Sequence, residues 1–171
     1  MNPKTFFLLF SLILWFAACK EAPCETVTCL NGGACQEEDG SCVCQDGYEG
    51  AFCENLVIQK FLGTYQVSYQ GCFSTNPNHT ILIEEINNEP QKVSIYYLGD
   101  YACPDDVIKL TADISGTNIS LAAQTIDCGP IAYTFEGEGS FSGSTLTLSF
   151  SVHYESDGFS HTDTCTAVME K

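Results

Sequence analysis

A chain of 171 residues with 22 acidic residues against six lysines, and no arginine, carries a net charge of −16. That balance argues against nucleic acid and anionic membrane surfaces, which need basic patches, and removes the bidentate clamp used for phosphates. Eleven cysteines in so short a chain point to an oxidising space outside the cytoplasm.

The chain opens with Met1-Asn2-Pro3-Lys4, an apolar run from Phe6 to Ala18 broken only by Ser11, and then Cys19. One positive charge, a short apolar stretch and a small-residue end predict a signal peptide over residues 1–18, since a membrane span needs about 20 apolar residues. Phe16-Ala17-Ala18-Cys19 resembles the lipobox of bacterial lipoproteins, with Phe16 where leucine is usual. The resemblance implies lipidation of Cys19, a tether over 19–23 and a surface-exposed protein anchored to the cell envelope. Lys20-Glu21 is similar to the charged export tag of surface lipoproteins in some Gram-negative bacteria. Parity agrees, because setting Cys19 aside leaves ten cysteines, an even number. The alternative is ordinary cleavage near Ala18 and a secreted protein, with Cys19 lost, free or paired between chains.

Next come Cys24, Cys29, Cys35, Cys42, Cys44 and Cys53, separated by four, five, six, one and eight residues. So small a segment cannot build a sufficient apolar core, and crosslinks take its place. Spacing alone leaves fifteen pairings open. With Asn31-Gly32-Gly33 before the third cysteine, and Cys42-Val43-Cys44-Gln45-Asp46-Gly47-Tyr48 leading through Gly50 to Cys53, the stretch resembles an EGF-like module spanning 20–54. The resemblance implies Cys24–Cys35, Cys29–Cys42 and Cys44–Cys53. Calcium-binding modules of this kind place an acidic cluster before the first cysteine. Here Lys20-Glu21-Ala22-Pro23 offers only Glu21, so no metal is expected.

From residue 57 to 171 the chain turns to Thr, Ser, Val, Ile, Tyr and Phe. Leu146, Leu148, Phe150, Val152 and Tyr154 alternate with Thr147, Ser149, Ser151 and His153, which predicts a strand with one apolar face. Similar alternation runs through Phe61–Tyr69, His79–Ile86, Lys92–Leu98, Val107–Ile114, Ile119–Ile126, Ile131–Glu138 and Phe159–Met169. Turn residues separate these runs, among them Asn87-Asn88, Gly99-Asp100, Ser115-Gly116-Thr117-Asn118, Cys128-Gly129-Pro130, Ser142-Gly143 and Ser156-Asp157-Gly158. The expected fold is mostly β: the disulfide-rich module followed by an antiparallel eight-stranded barrel or sandwich. Phe61-Leu62-Gly63-Thr64-Tyr65 resembles the opening of a lipocalin-like barrel, with Tyr65 where lipocalins carry tryptophan. Asp163-Thr164-Cys165-Thr166-Ala167-Val168 is similar to the end of small C-terminal β-domains of bacterial surface lipoproteins. Cys72, Cys103, Cys128 and Cys165 allow three pairings. First and last strands are neighbours in a closed barrel, which favours Cys72–Cys165, with Cys103–Cys128 clipping the middle.

Chemistry is sparse. His153 and His161 face each other if the Ser156-Asp157-Gly158 hairpin has a three-residue loop, with Asp163 nearby, and part if the loop has two residues. Neither register supplies the three or four ligands of a metal site. No Gly-x-Ser-x-Gly elbow occurs. Glu84-Glu85 and Asp105-Asp106 are adjacent in sequence, so on a strand they point to opposite faces; Pro104-Asp105-Asp106 reads as a turn. Glu136 and Glu138 share a face and read as a solvated edge. Asn78-His79-Thr80 and Asn118-Ile119-Ser120 match the glycosylation sequon. The expectation is a non-enzymatic cell-surface lipoprotein without cofactor, recognising an extracellular protein or glycan. The alternative is a lipocalin-like carrier of a small apolar ligand.

Overall fold

The structure, a computed structural model, describes residues 22–72, 79–101, 103 and 107–171. The signal peptide, Cys19, Lys20-Glu21, Asn78 and Pro104-Asp105-Asp106 lie outside the described residues.

The N-terminal segment holds two short strand pairs, β1 (Ala34–Cys35) with β2 (Cys42–Val43), and β3 (Tyr48–Glu49) with β4 (Asn55–Leu56). Cys24 is joined to Cys35, Cys29 to Cys42 and Cys44 to Cys53. Between residues 22 and 55 only Gly47 and Cys53 are buried, so crosslinks and local hydrogen bonds stand in for a core. Asn31 Nδ2 donates to the Cys53 carbonyl at 2.7 Å. The Ser41 N–H donates to Asp39 Oδ1 at 2.9 Å, and this contact holds the Asp39 carboxyl below the usual carboxylate range. A side chain at position 33 would meet Cys53 Sγ at 2.7 Å, which is why glycine stands there. This small disulfide-rich region is compatible with an EGF-like module.

The remaining strands are β5 (Gly63–Gln70), β6 (Thr80–Glu85), β7 (Lys92–Tyr96), β8 (Lys109–Ser115), β9 (Asn118–Asp127), β10 (Ala132–Ser142), β11 (Thr145–Ser156) and β12 (Phe159–Glu170). Each pairs antiparallel with its neighbours in sequence, and β12 returns to β5 through Thr166–Glu170 against Gln66–Gln70, closing an eight-stranded barrel. Of the two architectures the alternation allows, closure leaves no sheet edge running the length of the fold. The inward face is the apolar one. Tyr65, Ile81, Val93, Leu110, Phe135, Leu146, Leu148, Val152 and Met169 have no solvent exposure.

Several ends differ from the alternation. The first strand starts at Gly63 rather than Phe61, because Val57–Lys60 coils into a 3-10 turn whose Val57 and Ile58 join Phe61 in plugging one end of the barrel. Phe61 packs on Phe141 with ring centroids 5.6 Å apart, and Tyr65 donates its hydroxyl to the Phe61 carbonyl at 2.7 Å. The Lys92–Leu98 run stops as a strand at Tyr96, since Tyr97 turns left-handed. The strand expected over Ile131–Glu138 continues to Ser142. In β9 one extra residue intervenes between the pairs Phe135–Gln124 and Gly137–Leu121. This bulge switches the inward set from Ile119 and Leu121 to Gln124, Ile126 and Cys128.

The module meets the plugged end. Tyr48 pairs with Leu56, the Val57 N–H donates to the Gly47 carbonyl at 2.9 Å, and Lys60 lies 3.0 Å from Glu49. Chain therefore passes from module to barrel core without a free linker.

Candidate recognition surface

Antiparallel order puts residues 71–72, 79, 97–101, 103, 107–108, 128–131 and 157–158 at the barrel end away from the module. Both barrel disulfides, Cys72–Cys165 and Cys103–Cys128, staple this end. The first extends the β5–β12 ladder beyond its last pair, Gln70 with Thr166. The second ties the long β7–β8 connection to the end of β9.

The β7–β8 connection begins with unusual backbone. Tyr97, Gly99 and Asp100 have φ of 67°, 84° and 57°. For an aromatic and an acidic side chain this region is disfavoured, so the surroundings must hold them there. Leu98 is fully buried and anchors the segment. The Gly99 N–H donates to the Tyr69 hydroxyl at 2.8 Å. His79, 8% exposed, donates from Nε2 to the Tyr97 carbonyl and sets Nδ1 3.4 Å from Asp100 Oδ1. Tyr97 is thereby presented to solvent, about half exposed.

Across the mouth an aromatic cluster runs from the same connection to the β11–β12 hairpin. Ring centroids are 5.2 Å apart for Tyr101–Tyr133, 5.5 Å for Tyr133–Tyr154 and 5.1 Å for Tyr154–His161, the last pair stacked. Tyr101 also donates its hydroxyl to Asp163 Oδ2 at 2.8 Å. Burial raises the ionisation of Tyr69 and Tyr101 well above the free phenol and shifts Tyr133 the same way; for Tyr101 the Asp163 carboxylate adds to the shift. Along the inward line of β12, exposure climbs from buried Cys165 through half-buried Asp163 and exposed His161 to Phe159, which is 70% exposed at the tip.

Acidic residues lie at both ends, while the lysines are unevenly placed. Among the described residues Lys60, Lys92 and Lys171 lie toward the module end, and Lys171 donates to the Lys60 carbonyl at 2.8 Å. The far rim carries Asp100, Asp127, Glu155, Asp157 and Asp163. Its single lysine, Lys109, has Nζ 5.5 Å from the Tyr96 ring.

The histidine pair of the three-residue loop does not form. Ser156 pairs with Phe159 around a two-residue turn, so Tyr154 faces His161 and His153 faces Thr162. His153 hydrogen-bonds Thr162 Oγ1 at 2.8 Å on the outer face, where Ser151 donates to Glu136 at 3.2 Å. Glu136 and Glu138 are both exposed, as are Glu84, Glu85 and Asn118. Among the described residues no group of three or more His, Cys, Asp or Glu side chains is placed to hold a metal ion.

Sequence reasoning passed over Tyr69, Tyr97, Tyr101, Tyr133, Tyr154 and the role of Asp163. The available signal was their position: each tyrosine sits at or just beyond a strand end on the same side of the meander. Four clefts, of about 390, 550, 260 and 480 Å³, lie on the outer surface. Their linings are mostly outward and turn residues, with the buried Ile58, Ile114, Ile119, Leu121 and Phe150 at their floors, and none includes Tyr65, Phe135, Leu148 or Val152.

No model of a known protein family matches the chain, and no solved structure matches it. The chain is similar to clotting factor C of Tachypleus tridentatus, 34% identical over 88 residues. The match covers 51% of this chain but 7% of that protein, so only a small part of the relative is represented.

Proposed function

We propose that this is a non-enzymatic cell-surface lipoprotein whose EGF-like module holds a recognition barrel away from a lipid anchor at Cys19. The far rim of the barrel engages an extracellular protein or glycan. The observation that carries the reading is the aromatic and acidic rim itself, exposed at the end opposite the module and stapled by two disulfides. Rigid aromatic side chains give contact area at low entropic cost, and crosslinks keep them in place without a partner. The disulfides fit an extracellular or secreted protein, and no helix among the described residues is long and apolar enough to cross a membrane. An interior occupied by Tyr65, Phe135, Leu146 and their neighbours favours recognition at the surface over carriage of an apolar ligand.

Pulldown from neighbouring cells or matrix, with the native protein against a Phe159→Ser/Tyr97→Ser variant, tests the reading. Loss of capture supports it. Capture that survives the rim variant but vanishes when residues 24–53 are deleted moves recognition to the module and overturns it. Mass spectrometry of the mature N-terminus tests the anchor, which requires a diacylglycerol on Cys19.

A further inference from the structure

The partner's chemistry can be taken one step further, on the premise that the rim is the recognition surface. Asp163 is half-buried on the inward line of β12, two residues along from His161, and is bonded to Tyr101, whose ring centroid lies 6.3 Å from that of Tyr154. Its Oδ2 accepts the Tyr101 hydroxyl, and among the described residues no lysine or histidine forms an ion pair with either oxygen. A carboxylate partly withdrawn from water and bonded to a member of an aromatic cluster lacks the cation that such a setting favours. Elsewhere on the rim Asp100 already faces His79, while Glu155 and Asp157 lie on the hairpin that bears Phe159.

We propose that the rim binds a lysine- or arginine-bearing segment of an extracellular protein, with the cationic group against Asp163 and the faces of Tyr154 and Tyr101. The cation is attracted by the ring faces and neutralises the carboxylate, while the apolar stem of the side chain lies on Phe159 and the His161–Tyr154 stack. A net charge of −16 attracts a basic segment to the molecule as a whole, and Asp163 with its aromatic neighbours selects this face. Acidic glycans are repelled by the same field. A neutral glycan would stack on the rings but leave Asp163 without a counter-charge.

The test uses the purified full chain and calorimetric titration with hexalysine, hexaarginine, a Gly-Ser hexapeptide and chitohexaose. Both basic peptides are expected to bind and the Gly-Ser peptide not to. Asp163→Asn, which keeps the acceptor for Tyr101, and Tyr154→Leu are each expected to weaken hexalysine by about tenfold. Glu84→Gln, an exposed charge at the module end, should change it by less than about twofold. Equal weakening by Glu84→Gln and Asp163→Asn means diffuse attraction and overturns the proposal. Binding of chitohexaose in place of the basic peptides overturns it too, while leaving rim recognition standing. If cell capture depends on the rim and no basic peptide binds, this inference fails alone; if capture ignores rim variants, the underlying reading fails.

Discussion

The side-chain amide of Gln124 does for Thr111 what a neighbouring strand would do. Gln124 Oε1 accepts the Thr111 N–H and Nε2 donates to the Thr111 carbonyl, both at 2.8 Å. The reason lies in the strand register. β8 and β9 pair only over Asp113–Ser115 and Asn118–Ser120, and beyond that point the β9 bulge carries the strands apart. One side chain, turned by the bulge to the right side, thus closes the barrel wall.

Gln124→Leu is expected to destabilise the protein by about 1–2 kcal/mol, since two backbone groups lose their partner and turn to water. The Thr111 amide should exchange with solvent much faster, while amides of the β11–β12 ladder keep their protection. Unchanged Thr111 exchange would show that the side chain is dispensable to the wall.

Gly139 faces inward where β10 crosses closely over β11. A Cβ there would lie 2.2 Å from the Thr147 carbonyl oxygen and 2.8 Å from the Leu148 Cα, both backbone atoms. Gly139→Ala is expected to cost about 1–3 kcal/mol by overpacking. Gly143→Ala, with φ of 63° and open space around it, should cost about 1 kcal/mol from backbone strain alone. Urea midpoints of the two variants order these effects.

The two barrel disulfides close loops of different length, 93 residues for Cys72–Cys165 and 25 for Cys103–Cys128. Chain entropy gives about 4–5 kcal/mol for the first and about 3–4 kcal/mol for the second. The double serine variant of the first pair should therefore unfold at lower urea than that of the second. The reverse order would mean that local packing around Cys128 outweighs loop length.

Alkaline pH should unfold the barrel through its tyrosines. A buried Tyr65 is pushed up to about 12 from the ordinary phenol value of 10.0, and Tyr69, Tyr101 and Tyr133 shift the same way. Because the folded state holds these protons more tightly, their contribution is fully present below pH 10 and is lost as pH climbs toward 12. Tyrosinate absorbance measured just above pH 10 should jump when denaturant is added, and Tyr65→Phe should reduce the jump. Native protein already showing the denatured absorbance would refute the assignment.

Tyr69→Phe removes the acceptor of the Gly99 N–H at the start of the left-handed segment. A loss of about 1–2 kcal/mol is expected, together with weaker cell capture because Tyr97 is no longer held in place. Stability lost without any change in capture would separate the segment from recognition.

Local patterns reveal some of this and miss the rest. Alternation at Leu146–Tyr154 marks the inward face correctly because side chains on a strand repeat every second residue regardless of what they pack against. It fails at Phe61, where three apolar residues close a barrel end and no strand partner is available. It is equally blind to the β9 bulge, whose extra residue is defined only by the partner strand. The rim tyrosines are dispersed from position 69 to 154, so no window on the chain joins them.

Determined by the chain alone are the oxidising environment, the crosslinked character of residues 24–53 and the predominance of β structure, because composition, cysteine density and two-residue periodicity are local quantities. Closure as a barrel rather than a sandwich, the facing of Tyr154 by His161 in place of His153, and the gathering of aromatics and acids at one mouth were decided by tertiary structure. The reason is that registers add around a closed sheet. One residue of slip at a turn or a bulge exchanges the inner and outer faces, and only the packed core selects among the possible sums.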